Sequence, residues 1–147
     1  MNLTQLHESI GRTIGTTDWV QIGQPRIDSF ADCTDDHQFI HVDVVRAASG
    51  PTGGTIAHGF LTLSLLGGMI QQVLRDVPSS AQLNYGFDKI RFLSPVRSGR
   101  RVRGVFRLAN SKEKRPGEFL QTYDVTVEIE GEDRPALIAQ WILMIVA

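Results

Sequence analysis

Three aspartates and two histidines fall within ten residues, Thr34-Asp35-Asp36-His37-Gln38-Phe39-Ile40-His41-Val42-Asp43. Carboxylates and imidazoles this dense can ligate a metal, move protons, or simply solvate a loop. A metal is the weaker reading, because no HExxH pattern and no further carboxylate set completes a ligand shell. Composition alone favours a solvated polar loop. The sharper chemistry pairs Asp36 with His41: a carboxylate and a neutral imidazole holding one water form a general acid and base, each proton transfer being worth roughly 10²–10⁴ in rate. Five positions do not bring two side chains together on a regular element. On a helix they point about 140° apart, and on a strand they face opposite sides. The loop must therefore fold back on itself.

A second candidate is Gly53-Gly54-Thr55-Ile56-Ala57-His58-Gly59, which runs into the most apolar helix-like stretch. Backbone N–H groups at a helix start are unpaired and carry the positive end of the dipole. Gly59 and Phe60 could thus donate to a developing oxyanion, and Gly59 has no side chain to obstruct approach. His58 reads as a loop-orienting histidine. Ser64, inside the helix, can bond a preceding carbonyl. The single cysteine, Cys33, excludes an internal disulfide or a thiolate cluster and is expected as a small buried hydrophobe.

The elements that must position these groups fit one domain over residues 1–147. A net charge of −1 gives no reason to expect nucleic acid or a membrane surface as partner. The N-terminus lacks a signal-peptide pattern, and the apolar stretches Gly59–Ile70 and Ala136–Ala147 are too short to span a bilayer, so a cytoplasmic protein is expected. Residues 17–22 read as a short strand, Pro25 to about Asp32 as a helix with Ile27, Phe30 and Ala31 on one face, and 34–42 as irregular loop. Asp43 can cap a short helix, DVVRAAS. From Gly59 to about Leu74 the apolar residues surround the axis, which predicts a helix buried on most sides. Four strands follow: 84–93 with a change of parity near Asp88-Lys89, 100–108, 119–130 with a clear period of two, and the apolar run 136–147 as a central strand. This is an α+β domain with an antiparallel sheet wrapping one long helix. Ten of the 15 Lys and Arg lie between Lys89 and Arg115, where Glu113 is the only acid. Arg101, Arg103 and Arg107 share one strand face, which is either solvated surface or an anion-binding side.

FADCTDDHQFIHVD followed by GGTIAHGFLTLSL resembles the signature of the MaoC-like (R)-specific enoyl-CoA hydratases, and NYGFDKIRFLSPVRSG and GRTIGTTDW resemble its nodulation protein N-like subgroup. The resemblance implies a hot-dog fold, a homodimer, and reversible hydration of a trans-2-enoyl-CoA or acyl-carrier-protein thioester without cofactor or metal. By position, Asp36 and His41 match the water-holding pair and Gly59 the backbone donor to the thioester oxygen. Substrate contacts are expected from Gly54, Ile56, Ala57, His58, Ser64 and Tyr85, and phosphate contacts from Arg97, Arg100 and Arg101. The chain departs from the relatives' Asn-Pro turn with Gln38-Phe39, adds Asp35 beside Asp36, and has Gly67 where some hydratases have serine. A thioesterase and a non-catalytic acyl-CoA module are the alternatives.

Overall fold

The computed structural model describes residues 1–147. Four helices and two short strands precede the central helix. The helix α1 (Leu3–Glu8), unexpected from sequence, is closed by a capping box: the Asn2 side chain accepts from the Gln5 N–H, and the Gln5 side chain accepts from the Asn2 N–H. It inserts Leu6, fully buried, into the core. Strand β1 (Thr13–Thr16) was also not legible in the sequence, and the strand expected over 17–22 shrinks to β2 (Val20–Gln21). Helix α2 (Gln24–Thr34) carries Pro25 in its first turn, as expected, and buries Ile27 and Ala31. Cys33 corrects the sequence reading: it is exposed, on the outward side of the last turn of α2. One turn of helix, α3 (Phe39–Val42), lies inside the stretch expected to be irregular. In α4 (Val44–Ala48) the Asp43 carboxylate accepts from the Arg46 N–H, the expected cap.

The central helix is α5 (Gly59–Ser64) followed by α6 (Leu66–Val73), with Leu65 at their junction in helical geometry (φ −64, ψ −20). The hydrogen-bond ladder continues through it, since Leu65 donates to Leu61 and Met69 donates to Leu65. Burial is one-sided, contrary to the pattern reading. Leu61, Leu66, Met69, Ile70 and Leu74 are buried, while Phe60, Ser64, Gly67, Gly68 and Gln71 form an exposed stripe. The physical reason is that one sheet covers only one side of a helix.

That sheet is antiparallel in the order β1-β4-β5-β6-β3, with β2 pairing a different part of β4. Its long strands are β3 (Ala81–Phe92), β4 (Arg101–Arg115), β5 (Glu118–Ile129) and β6 (Leu137–Val146). The apolar run expected as a central strand is β6, between β5 and β3. The parity change in β3 is a register shift between Phe87 and Lys89, and a second shift lies between Asn84 and Gly86. Alternate residues of β4, β5 and β6 face α6 and join a 24-residue apolar cluster. Gly104 of β4 sits where the helix approaches most closely: a Cβ there would lie 3.1 Å from Met69 Sδ and 2.7 Å from the Phe106 ring. Two buried polar groups are satisfied within the core, Tyr123 Oη donating to Gln121 Oε1 and Trp141 Nε1 donating to Asn84 Oδ1 at 3.0 Å. Burial pushes the Tyr123 phenol well above its ordinary range.

The outer face of β4 resolves the charge imbalance. Arg101, Arg103 and Arg107 pair across to Glu130, Glu128 and Asp124 next to or on β5. Such exposed cross-strand pairs add little stability, because solvent screens them. The acids that balance these arginines lie just beyond the basic segment, a strand away in space.

Candidate active site

The loop does fold back, and three local features make it do so. Helix α2 ends with Asp35 in the left-handed region (φ 60), the only non-glycine residue of the chain there. The chain then runs extended at Gln38 (φ −56, ψ 138) and enters the single turn α3, which carries His41 inward. Finally the 54–58 segment is stitched to this loop. The Ile56 N–H donates to the Ile40 carbonyl at 2.9 Å. His41 Nδ1 lies 2.8 Å from the Ile56 carbonyl, so Nδ1 carries the proton and Nε2 is free of one in the neutral ring. His58 Nε2 lies 3.0 Å from the Asp36 carbonyl and must likewise be the protonated nitrogen.

Gln24 adds a link that sequence reasoning missed. Its Nε2 donates to the His41 carbonyl at 2.7 Å and to Asp28 Oδ1 at 2.8 Å, and its Oε1 accepts from Thr55 Oγ1 at 2.6 Å. The first turn of α2 thereby joins α3 to the Gly-rich turn. A glutamine beside a helix-starting proline carries no sequence signal for this role; only the crossing of α2 over both segments reveals it.

The outcome is a cluster in which Asp36, His41 and His58 each present a polar atom within 4.8 Å of the others. Asp36 is exposed, whereas His41 and His58 are buried. The two imidazoles stack with centroids 3.8 Å apart and planes 22° apart. Asp36, His41 and His58 are also the side chains whose spacing could hold a metal ion. His37 turns away to Asp32 at 2.9 Å, and that carboxylate is the main cause raising the His37 pKa above its ordinary value.

Gly59 begins α5 immediately after His58. The helical ladder starts with Leu61 and Thr62 donating to the His58 carbonyl, which leaves the Gly59 and Phe60 N–H groups ahead of it. Gly59, Ile56, Ala57 and Thr62 line a cleft of about 250 Å³ whose other wall is Phe92 to Val96 and Ala136. Asp36 and His41 do not line that cleft; Gly59 and its neighbour His58 connect the two.

The remaining expected contacts are dispersed. Gly54 (φ 152) lies in the turn leading to Ile56. Ser64 Oγ donates to the Phe60 carbonyl at 2.6 Å within its own helix. Tyr85 is exposed on β3, its ring under the Lys114 ammonium at 4.8 Å. Arg97 bridges to Ile56 in the sheet-like pairing, lays its guanidinium over Gly53, and has no carboxylate partner. Arg100 is exposed at the end of the same turn, and Arg101 faces Glu130.

Similarity to known proteins runs along most of the chain. The family model described as MaoC like domain matches residues 5–130. Nodulation protein N of Rhizobium leguminosarum bv. viciae is 49% identical over 147 residues, covering 99% of this chain and 91% of that protein. The 3-hydroxyacyl-thioester dehydratase Z of Mycobacterium tuberculosis is 42% identical over 146 residues, covering 99% and 97%. Among solved structures, the (R)-hydratase of A. caviae involved in PHA biosynthesis superposes with a TM-score of 0.75 at 21% identity, covering 90% and 95%, a likeness of fold. With the hot-dog architecture and a family match across most of its length, the chain belongs to the MaoC-like dehydratase domain family.

Proposed function

We propose that the protein adds water reversibly across the double bond of a trans-2-enoyl thioester, giving the (R)-3-hydroxyacyl thioester. The observation that carries this reading is the convergence of the Asp36 carboxylate and the His41 imidazole beside the N-terminus of α5. Asp36 accepts a proton from water as its oxygen attacks C3. Negative charge moves onto the thioester oxygen, where the Gly59 N–H donates. In this reading the division of labour follows from the His41 hydrogen bond. The only proton of neutral His41 faces the Ile56 carbonyl, so Nε2 accepts the second hydrogen of the water and does not supply C2. Asp36 then returns its proton to C2 on the same face, which balances the step without a cofactor.

The substrate's acyl end enters the cleft beside Gly59, and a coenzyme A phosphate meets Arg97 at its mouth. Arg101 is a poorer candidate for that phosphate than sequence suggested, because Glu130 already neutralises it. A homodimer completes the site. Leu83, Tyr85 and Phe92 lie on β3, an open sheet edge, exposed at 51, 50 and 53%, and Phe60 of α5 is 70% exposed. No helix is long and apolar enough to cross a membrane.

The test follows loss of enoyl absorbance with crotonyl-CoA, with chiral analysis of the product. Asp36→Asn and His41→Gln should each lose about 10²–10⁴ of the turnover with far-UV circular dichroism unchanged. Near-normal rates in both variants would refute the assignment, and release of free thiol would mark a thioesterase instead.

A further inference from the structure

His58 is the residue whose surroundings the proposed reaction does not explain. It is 2% exposed, and its Nδ1 is the one buried side-chain polar atom of the chain without a hydrogen-bond partner. A buried acceptor left bare is unfavourable, and a leucine or phenylalanine would fill the same space without it. The histidine must therefore use what those residues lack. Two such uses are visible. Nε2–H donates to the main-chain carbonyl of Asp36. Asp36 has one other hydrogen bond, from the Gln38 N–H to its Oδ1 at 3.3 Å, which lies inside the loop. His58 is thus the hydrogen-bonding anchor of Asp36 to the rest of the protein. The second use is the flat ring, held between Phe30 (centroids 4.9 Å, tilted) and His41 (3.8 Å, stacked).

Resting on the hydratase reading, we infer that His58 is a positioning residue that sets Asp36, His41 and Gly59 relative to one another. One residue reaches all three: Asp36 through Nε2–H, His41 through ring stacking, and Gly59 through the peptide bond. The bare Nδ1 is the consequence of that arrangement. With Nε2–H committed to the Asp36 carbonyl, Nδ1 is the acceptor nitrogen of the ring. A site held this way loses turnover more than affinity when the anchor goes, since misplacement of a reacting group by about 1 Å can lower rates by about 10².

The experiment compares His58→Gln, His58→Asn and His58→Phe. Glutamine places an amide nitrogen where Nε2 stood, asparagine places one where Nδ1 stood, and phenylalanine keeps only the ring. With crotonyl-CoA, His58→Phe and His58→Asn should lose about 10² in kcat with KM changed by less than about threefold, while His58→Gln stays within about fivefold of the parent. In parallel, the carbonyl-carbon NMR shift of Asp36, which reports the hydrogen bond this oxygen accepts, should move in the Phe and Asn variants and stay near the parent's in the Gln variant. Parent-like kcat and an unmoved Asp36 shift in His58→Phe would overturn the inference. So would equal losses in all three variants, or losses confined to KM. If the parent protein turns over no enoyl thioester, the hydratase reading fails, and the Asp36 shift alone then decides: the Gln-versus-Phe difference upholds the anchor, and the same shift in all three variants refutes it.

Discussion

Replacing Gly59 by alanine separates the two reasons for a glycine at the start of α5. Gly59 is not in the left-handed region, so alanine is compatible with its backbone. A Cβ there would lie 3.0 Å from Phe92 Cδ1 and Cε1 and 3.4 Å from Cζ. Carbon atoms rest at about 3.5–4.0 Å, so the ring must withdraw by roughly 0.5 Å. Phe92 is 53% exposed at the end of β3, and its ring can swing at little cost. Helical alanine gains up to about 1 kcal/mol over glycine, less at a first position. The two effects nearly cancel, leaving stability within about 1 kcal/mol, a Tm shift of no more than about 4 °C for a domain of this size. Activity should not be spared. Phe92 and Gly59 face each other across the 250 Å³ cleft, so the methyl group and the displaced ring both intrude there. We expect kcat/KM for crotonyl-CoA to fall about 10². The assay pairs enoyl-absorbance kinetics with thermal melting, and adding Phe92→Ala should recover part of the loss by freeing the ring's space. Activity within threefold of the parent would refute the placement of the thioester at Gly59. A Tm loss above about 10 °C would show instead that the glycine serves packing.

Charge reversal in Arg97→Glu should raise KM for crotonyl-CoA about tenfold and leave a phosphate-free crotonyl thioester unaffected, whereas Arg101→Glu, which breaks the Glu130 pair, should leave both KM values alone; equal effects on both substrates would exclude a phosphate contact. Gln24→Leu strips the acceptor from the buried Thr55 hydroxyl and should destabilise by about 1–3 kcal/mol with a parallel fall in kcat, and Thr55→Val added to it should restore part of the melting temperature. Unchanged melting in the single variant would count against Gln24 joining α3 to the Gly-rich turn. Asp32→Asn should bring the His37 pKa down toward its ordinary value in a proton NMR titration. Because the folded pKa of His37 is raised, its contact with Asp32 stabilises below the unfolded value of about 6.5 and is lost as pH rises through the folded one. The Asn variant should lack that dependence, and an unmoved titration would show that Asp32 is not the cause.

Period and punctuation made much of the fold legible. Alternation over 119–130 specified β5 and its inward face, because a pleated strand exposes opposite sides at a period of two. Pro25 and Asp43 marked helix starts, since each satisfies a local requirement of a helix terminus. The parity break at Asp88-Lys89 marked a real register shift. Short or environment-dependent elements escaped. Helix α1 is six residues long, and β1 and β2 exist only because β4 offers them an edge. Cys33 looked apolar by its neighbours but lies on the outer side of α2, where local composition says nothing about facing. The helix that looked buried all round is covered on one side, because apolar periodicity reports what a helix can bury and not how many layers reach it.

For the site, residue type and spacing already name the cast: an acid and an imidazole five apart, a Gly-rich turn, and a glycine opening a helix. These are local facts of residue type and spacing. Tertiary structure alone decided how they meet. The left-handed turn at Asp35, the Ile56 carbonyl that fixes the His41 tautomer, Gln24 across both segments and the stacked His58 are contacts between residues 15 to 31 positions apart, or depend on them. The same holds for the arginines, which pair with acids 17 to 29 residues away across a strand ladder. Directional bonds between distant segments depend on register and crossing, which a linear pattern of residue types does not encode.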